Sequence, residues 1–152
     1  MRKAFCLILI LSLLLAFTAC NQNETETTYD YDLAGFSSTM VYSVVVNNVC
    51  GINAQNAIDF SKYPDNVGKT VRFPVFFTYT VKADGKTEYL CYVSDCNNQC
   101  PSNITFLLEF EKDFSIEPVP ADRSTVTMTG TFDLYETEAG SYLMISHARI
   151  VR

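Results

Sequence analysis

Two-residue alternation constrains this chain more than any other feature. From Lys69 onward, Val71, Phe73, Val75, Phe77, Tyr79 and Val81 alternate with Arg72, Pro74, Phe76, Thr78, Thr80 and Lys82. A period of two marks a strand with one buried face. Pro74 cannot donate to a ladder, so a bulge or an edge position is expected there. Asp84-Gly85 signals a hairpin turn. It leads into a second strand, residues 87–94, with Tyr89, Cys91 and Val93 on one face. A third follows at 104–110, where Ile104, Phe106, Leu108 and Phe110 alternate. Pro118 and Pro120 break the connection 111–122 too often for a long helix. The fourth strand, 125–135, sets Val126, Met128, Gly130, Phe132 and Leu134 against a row of threonines. A turn around Glu138-Ala139-Gly140 gives the fifth, 141–151. Five strands with hardly any helix predict a mainly β chain closed into a small barrel, because closure removes exposed edges.

Upstream, Ser37-Ser38 stands before residues 39–49, a largely apolar stretch. A serine pair there is a plausible helix N-cap. The β-branched run Val44-Val45-Val46 favours strand instead. A short N-terminal helix is the preferred reading, with Met40, Val41, Val44, Val45 and Asn48 on one face. Cys50-Gly51 ends it. Residues 53–64 are polar, and Pro64-Asp65-Asn66 followed by Gly68 marks a turn.

The first segment has another character. Arg2-Lys3, an apolar run over 4–17 and Thr18-Ala19 form a secretory signal peptide, residues 1–19. The cysteine that follows, Cys20, resembles the lipobox cysteine of bacterial lipoproteins. That resemblance implies acylation of Cys20, which becomes the first mature residue. Two or three acyl chains anchor stably where one is marginal. The expected location is therefore the extracytoplasmic face of a cell membrane, with membrane attachment through lipid at Cys20. Removing 19 of the 152 residues leaves 133, enough for one domain with a core. Residues 21–32 are polar and acidic and read as a disordered tether. The expected division is signal peptide 1–19, lipidated Cys and tether 20–36, and barrel domain with lead-in helix 37–152.

Gly68-Lys69-Thr70-Val71-Arg72-Phe73 opens the long first strand. Val126-Thr127-Met128-Thr129-Gly130-Thr131-Phe132 leads through a hairpin into Tyr142-Leu143 and Ala148-Arg149-Ile150-Val151. These stretches resemble bacterial OB-fold domains. With residues 37–43, the chain is similar to uncharacterised OB-fold lipoproteins of Clostridia-like bacteria. The resemblance implies a five-stranded OB-like β-barrel and no particular reaction, since this fold hosts unrelated functions.

Charge narrows the partners. The signal peptide takes two of the 11 basic residues and none of the 17 acidic ones, leaving a mature formal charge of −8. Phosphate backbones are bound through Lys and Arg, so nucleic acid is an unfavourable partner.

Cysteine chemistry is the next candidate. Besides Cys20, the mature chain holds Cys50, Cys91, Cys96 and Cys100. An even count outside the cytoplasm favours disulfides. Cys96 and Cys100 share one loop and could bridge locally, which would leave Cys50 with Cys91. A zinc site of Cys91, Cys96, Cys100 and His147 is the weaker alternative, because its spacings are looser than a C-x2-C knuckle. A redox role lacks C-x-x-C. No phosphate loop, HExxH or triad order is visible, so neither an enzyme nor a cofactor is expected.

Nine Tyr and eleven Phe without Trp are a heavy aromatic load. OB barrels can use exposed aromatics on their middle strands as stacking platforms. Tyr79, Tyr89, Tyr92 and Tyr135 are the candidates for such a surface. The expected function is a non-catalytic binding or interaction module for an envelope protein, peptide or glycan. A metal- or redox-active lipoprotein using the loop at Cys91, Cys96 and Cys100 is the alternative, and an oligonucleotide-binding OB domain the third.

Overall fold

The alternating segments become five strands that close on one another. The computed structural model describes residues 27–55, 57–95 and 103–151. A short strand, β1 (Tyr31–Asp32), precedes the barrel strands β2 (Thr70–Val81), β3 (Thr87–Ser94), β4 (Asn103–Phe110), β5 (Thr125–Thr137) and β6 (Gly140–Val151). Their order is β1-β2-β3-β4-β6-β5, and β5 returns to β2. Within the barrel every pairing is antiparallel except β4 with β6, which is parallel. A three-strand meander, a parallel closure and a final hairpin make the OB-like barrel that the sequence predicts.

The long β2 serves two neighbours. Its first part, from Thr70 to Phe76, pairs with β5, and from Phe76 to Val81 it pairs with β3. Pro74 sits between the end of the β1 pairing at Arg72 and the start of the β3 pairing at Phe76. On that side no ladder needs its missing N–H, and the β5 register runs through it without a bulge. Val71, Phe73, Val75 and Phe77 face the core, as the alternation requires. Tyr79 and Val81 belong to the same row and are exposed. Beyond Phe77 the strand has only β3 as strand partner among the described residues, so it leaves the barrel wall as a hairpin arm.

Aromatic rings fill the centre. The Phe132 ring lies 5.9 Å from those of Tyr31, Tyr63 and Phe106 and 6.2 Å from Phe73. Tyr63 sits in a 3-10 turn, Tyr63–Asn66, and is buried. Its hydroxyl donates to the carbonyls of Asp133 at 2.9 Å and Met144 at 3.1 Å. Burial pushes that hydroxyl's pKa above its usual range. Tyr63→Phe removes both bonds while leaving the Asp133 and Met144 carbonyls in the β5–β6 ladder, and is expected to cost about 1 kcal/mol in chemical denaturation. A cost near zero would mean that water replaces the hydroxyl.

The helix forms where the Ser pair predicts. Helix α1 (Ser38–Val44) is capped by Ser37, whose side chain accepts from the Met40 N–H, and continues as a π-helical coil over Val45–Cys50. Its buried face is Val41, Val45, Val46, Val49 and Cys50. The expected face is thus corrected: Met40 is 53% exposed and Asn48 is exposed. The wider π turn rotates later residues relative to ideal α spacing.

The tether also needs correction. Asp30 accepts from the Thr70 backbone and hydroxyl, β1 pairs in parallel with β2, and Leu33 is buried in the core. The fold therefore starts by Asp30 rather than at Ser37. Residues 1–26, including the signal peptide and Cys20, lie outside the described residues.

The connection 111–124 carries no helix. Phe114 stacks on Phe110 at 5.4 Å, and Phe114 and Ile116 pack against the core.

Candidate ligand groove

The hairpin joining β5 to β6 sets the site. Its tight turn pairs Thr137 with Gly140, which places Tyr135 opposite Tyr142. Leu134 and Leu143, the next pair, alternate to the opposite face and pack against the core, and the half-buried Leu143 also borders the groove. Tyr135 is 48% and Tyr142 52% exposed. The outer faces of β3 and β4 supply the floor, where Leu90 and Leu107 are directly opposed. Thr105, Thr137 and Leu143 complete a groove of about 480 Å³ with Lys82 and Glu88 at its rim. A second hollow of about 420 Å³ shares Lys82, Glu88, Leu107 and Tyr135 with it and runs beside the β2–β3 turn. The groove thus lies over the β3–β4 face, flanked by the β2–β3 and β5–β6 turns, the usual ligand face of this barrel class.

Its charges cancel. Lys82 Nζ lies 2.6 Å from Glu88 Oε1, and Lys86 Nζ 3.6 Å from Asp84 Oδ2. The hydrogen bond and charge of Glu88 hold the Lys82 ammonium above the usual lysine value. Neither lysine stands as an uncompensated cation for a phosphate. What remains is two phenol rings, three leucines and a few hydroxyls, a lining suited to uncharged or mixed-polarity surfaces.

The predicted tyrosines divide. Tyr135 lines both hollows. Tyr89 is half-buried, with its ring 5.6 Å from Phe110 and 6.0 Å from Phe77, and forms one wall of the second hollow. Tyr79 is exposed on the β2–β3 arm and lines neither. Tyr92 is only 7% exposed and stacks on Phe76 at 5.2 Å, so it offers no free ring face. Tyr142 and the leucines were missed by sequence reasoning. Counting back from a two-residue turn at Glu138-Ala139 would have found Tyr142, because it fixes the Tyr135 pairing.

The Cys50–Cys91 bridge is overturned. Both are free thiols, fully buried in the core. They serve there as small apolar residues. Burial pushes the Cys50 thiol up to about 12 and raises Cys91 as well. Cys96 and Cys100 lie outside the described residues. The zinc set does not assemble around Cys91, which is sealed inside the barrel while His147 is exposed on β6. His147 sits at φ 50° where the β5–β6 register shifts. Among the described residues no three His, Cys, Asp or Glu converge as a metal site. In the native mature chain at pH 8, peptides carrying Cys50 and Cys91 are expected to escape alkylation and to react fully after denaturation. Native labelling of either, read by peptide mass spectrometry, would contradict the burial.

Two carboxylates near strand ends have side-chain partners. Glu111 pairs with Arg149, and Glu136 accepts from the Ser141 hydroxyl at 2.7 Å. Among the described residues no helix is long and apolar enough to cross a membrane.

No protein-family model and no curated protein matches the chain. Among solved structures it is similar to a "putative nucleic acid-binding lipoprotein" from Klebsiella pneumoniae subsp. pneumoniae. The identity is 13% and the TM-score 0.42, covering 80% of this chain and 91% of that one. A likeness this distant assigns neither a ligand nor an anchor.

Proposed function

We propose that the mature chain is a non-catalytic binding module, held at the extracytoplasmic face of the membrane by lipid on Cys20. Its ligand, an envelope protein, peptide or glycan, lies in the groove beside Tyr135 and Tyr142. The observation that carries this reading is the groove's lining: exposed phenol rings over a leucine floor, with both nearby lysines already paired. Burying such surface is favourable without a counter-charge on the ligand. The mature charge of −8 and these paired lysines weigh against nucleic acid. The leader's resemblance to lipoprotein signals supports the anchor.

The test pairs a glycan array and an immobilised peptide library with the double variant Tyr135→Ala, Tyr142→Ala. Binding is expected to fall at least tenfold, about 1.4 kcal/mol, with the melting temperature little changed because both rings are exposed. Undiminished binding by the double variant would overturn the groove as the site. Incorporation of an alkyne-tagged fatty acid that vanishes in Cys20→Ala tests the anchor separately.

A further inference from the structure

The barrel is not closed along its whole height. β4 pairs with β3 from Asn103 to Leu107, yet its pairing with β6 begins only at Leu107 opposite Met144. β6 in turn pairs with β5 from Gly140 onward. Residues 103–106 of β4 and 140–143 of β6 therefore each have one laddered side. Among the described residues their facing sides have no strand partner. Thr105 and Leu107 on one flank and Tyr142 and Leu143 on the other line the groove, so the groove is the seam where these strands part.

An unpaired strand edge presents N–H and C=O groups at a fixed repeat. The partner that matches this repeat is another extended polypeptide backbone. A glycan meets single donors and acceptors but lacks the two-residue period. Resting on the groove reading above, we infer that the ligand is an extended peptide that adds as a strand within this seam. Four residues per edge at about 3.3 Å each span about 13 Å, a short linear segment rather than a folded surface. Alternate side chains of such a segment point to opposite faces. One set meets Leu107 and the two tyrosines on the outer face, and the other points inward on the side of Ile104 and Phe106, the buried residues of the same β4 edge. The selected peptide is therefore apolar at successive central positions and needs no dense negative charge, since Lys82 at the groove already lies against Glu88.

The test uses the isotope-labelled mature chain and blocked synthetic hexapeptides with apolar residues at their central positions. The tightest binder is then remade with single N-methyl groups along its backbone. Strand addition between the two edges predicts that N-methylation at each central position weakens binding tenfold or more, because successive N–H groups point alternately to β4 and to β6, while the terminal positions tolerate it. It also predicts that amide exchange slows within residues 103–106 and 140–143. A binder indifferent to N-methylation at all positions, or protection confined to other elements, overturns strand addition. Glycan binding that depends on Tyr135 and Tyr142, with no peptide binding, overturns it and leaves the groove reading standing. Absence of binding by both probe classes overturns both.

Discussion

Phe132→Ala is expected to cost about 3–5 kcal/mol, a large share of a small domain's total stability. The ring is almost fully buried and touches the rings of Tyr31, Tyr63, Phe73 and Phe106. These come from β1, the 3-10 turn, β2 and β4, so the cavity opens where four separate parts of the chain meet. No single neighbour can collapse into it without leaving another contact, which places the cost toward the upper end. Urea denaturation of the mature chain measures this. A loss below about 1 kcal/mol would mean that this ring is not at the centre of the core.

Gly130→Ala is expected to cost about 3 kcal/mol, although it adds one methyl. A Cβ there would stand 2.4 Å from Ile145 Cγ2 and 2.8 Å from the Ser146 carbonyl oxygen. Ile145 is fully buried and the second obstacle is backbone, so neither can swing aside. Relief requires β6 to move off β5 at the register shift between Thr129 and Thr131. Overpacking against such neighbours costs about 1–3 kcal/mol, occasionally more. A melting temperature equal to that of the parent chain would show that β6 yields freely.

Much of this fold was legible because strand alternation and turn chemistry are local. The β3 limits agree with the sequence reading, and the other barrel strands differ by at most two residues. Asp84-Gly85 forms the predicted turn, with Gly85 at φ 80° and the Lys86 N–H donating to Asp84 Oδ1. What escaped depends on distant contacts. Asp30, Tyr31 and Asp32 read as solvated tether because their partners, Thr70, Asn66 and Arg72, lie some forty residues away. The cysteine count invites a bridge, yet Cys50 and Cys91 are spent on packing. Tyr79 has the period of a core residue, but β2 outruns the barrel wall there. The groove was half legible: Tyr135 was identified, whereas Tyr142, Leu90 and Leu107 enter through register and through the parting of β4 from β6.

Backbone chemical-shift mapping of the labelled mature chain with its tightest-binding peptide or glycan tests the groove most directly. The groove reading predicts perturbations concentrated at Leu90, Thr105, Leu107, Tyr135 and Tyr142, with Cys50 and Cys91 unmoved. Perturbations centred on α1 or on residues 95–101, with the Tyr135–Tyr142 hairpin silent, would contradict it.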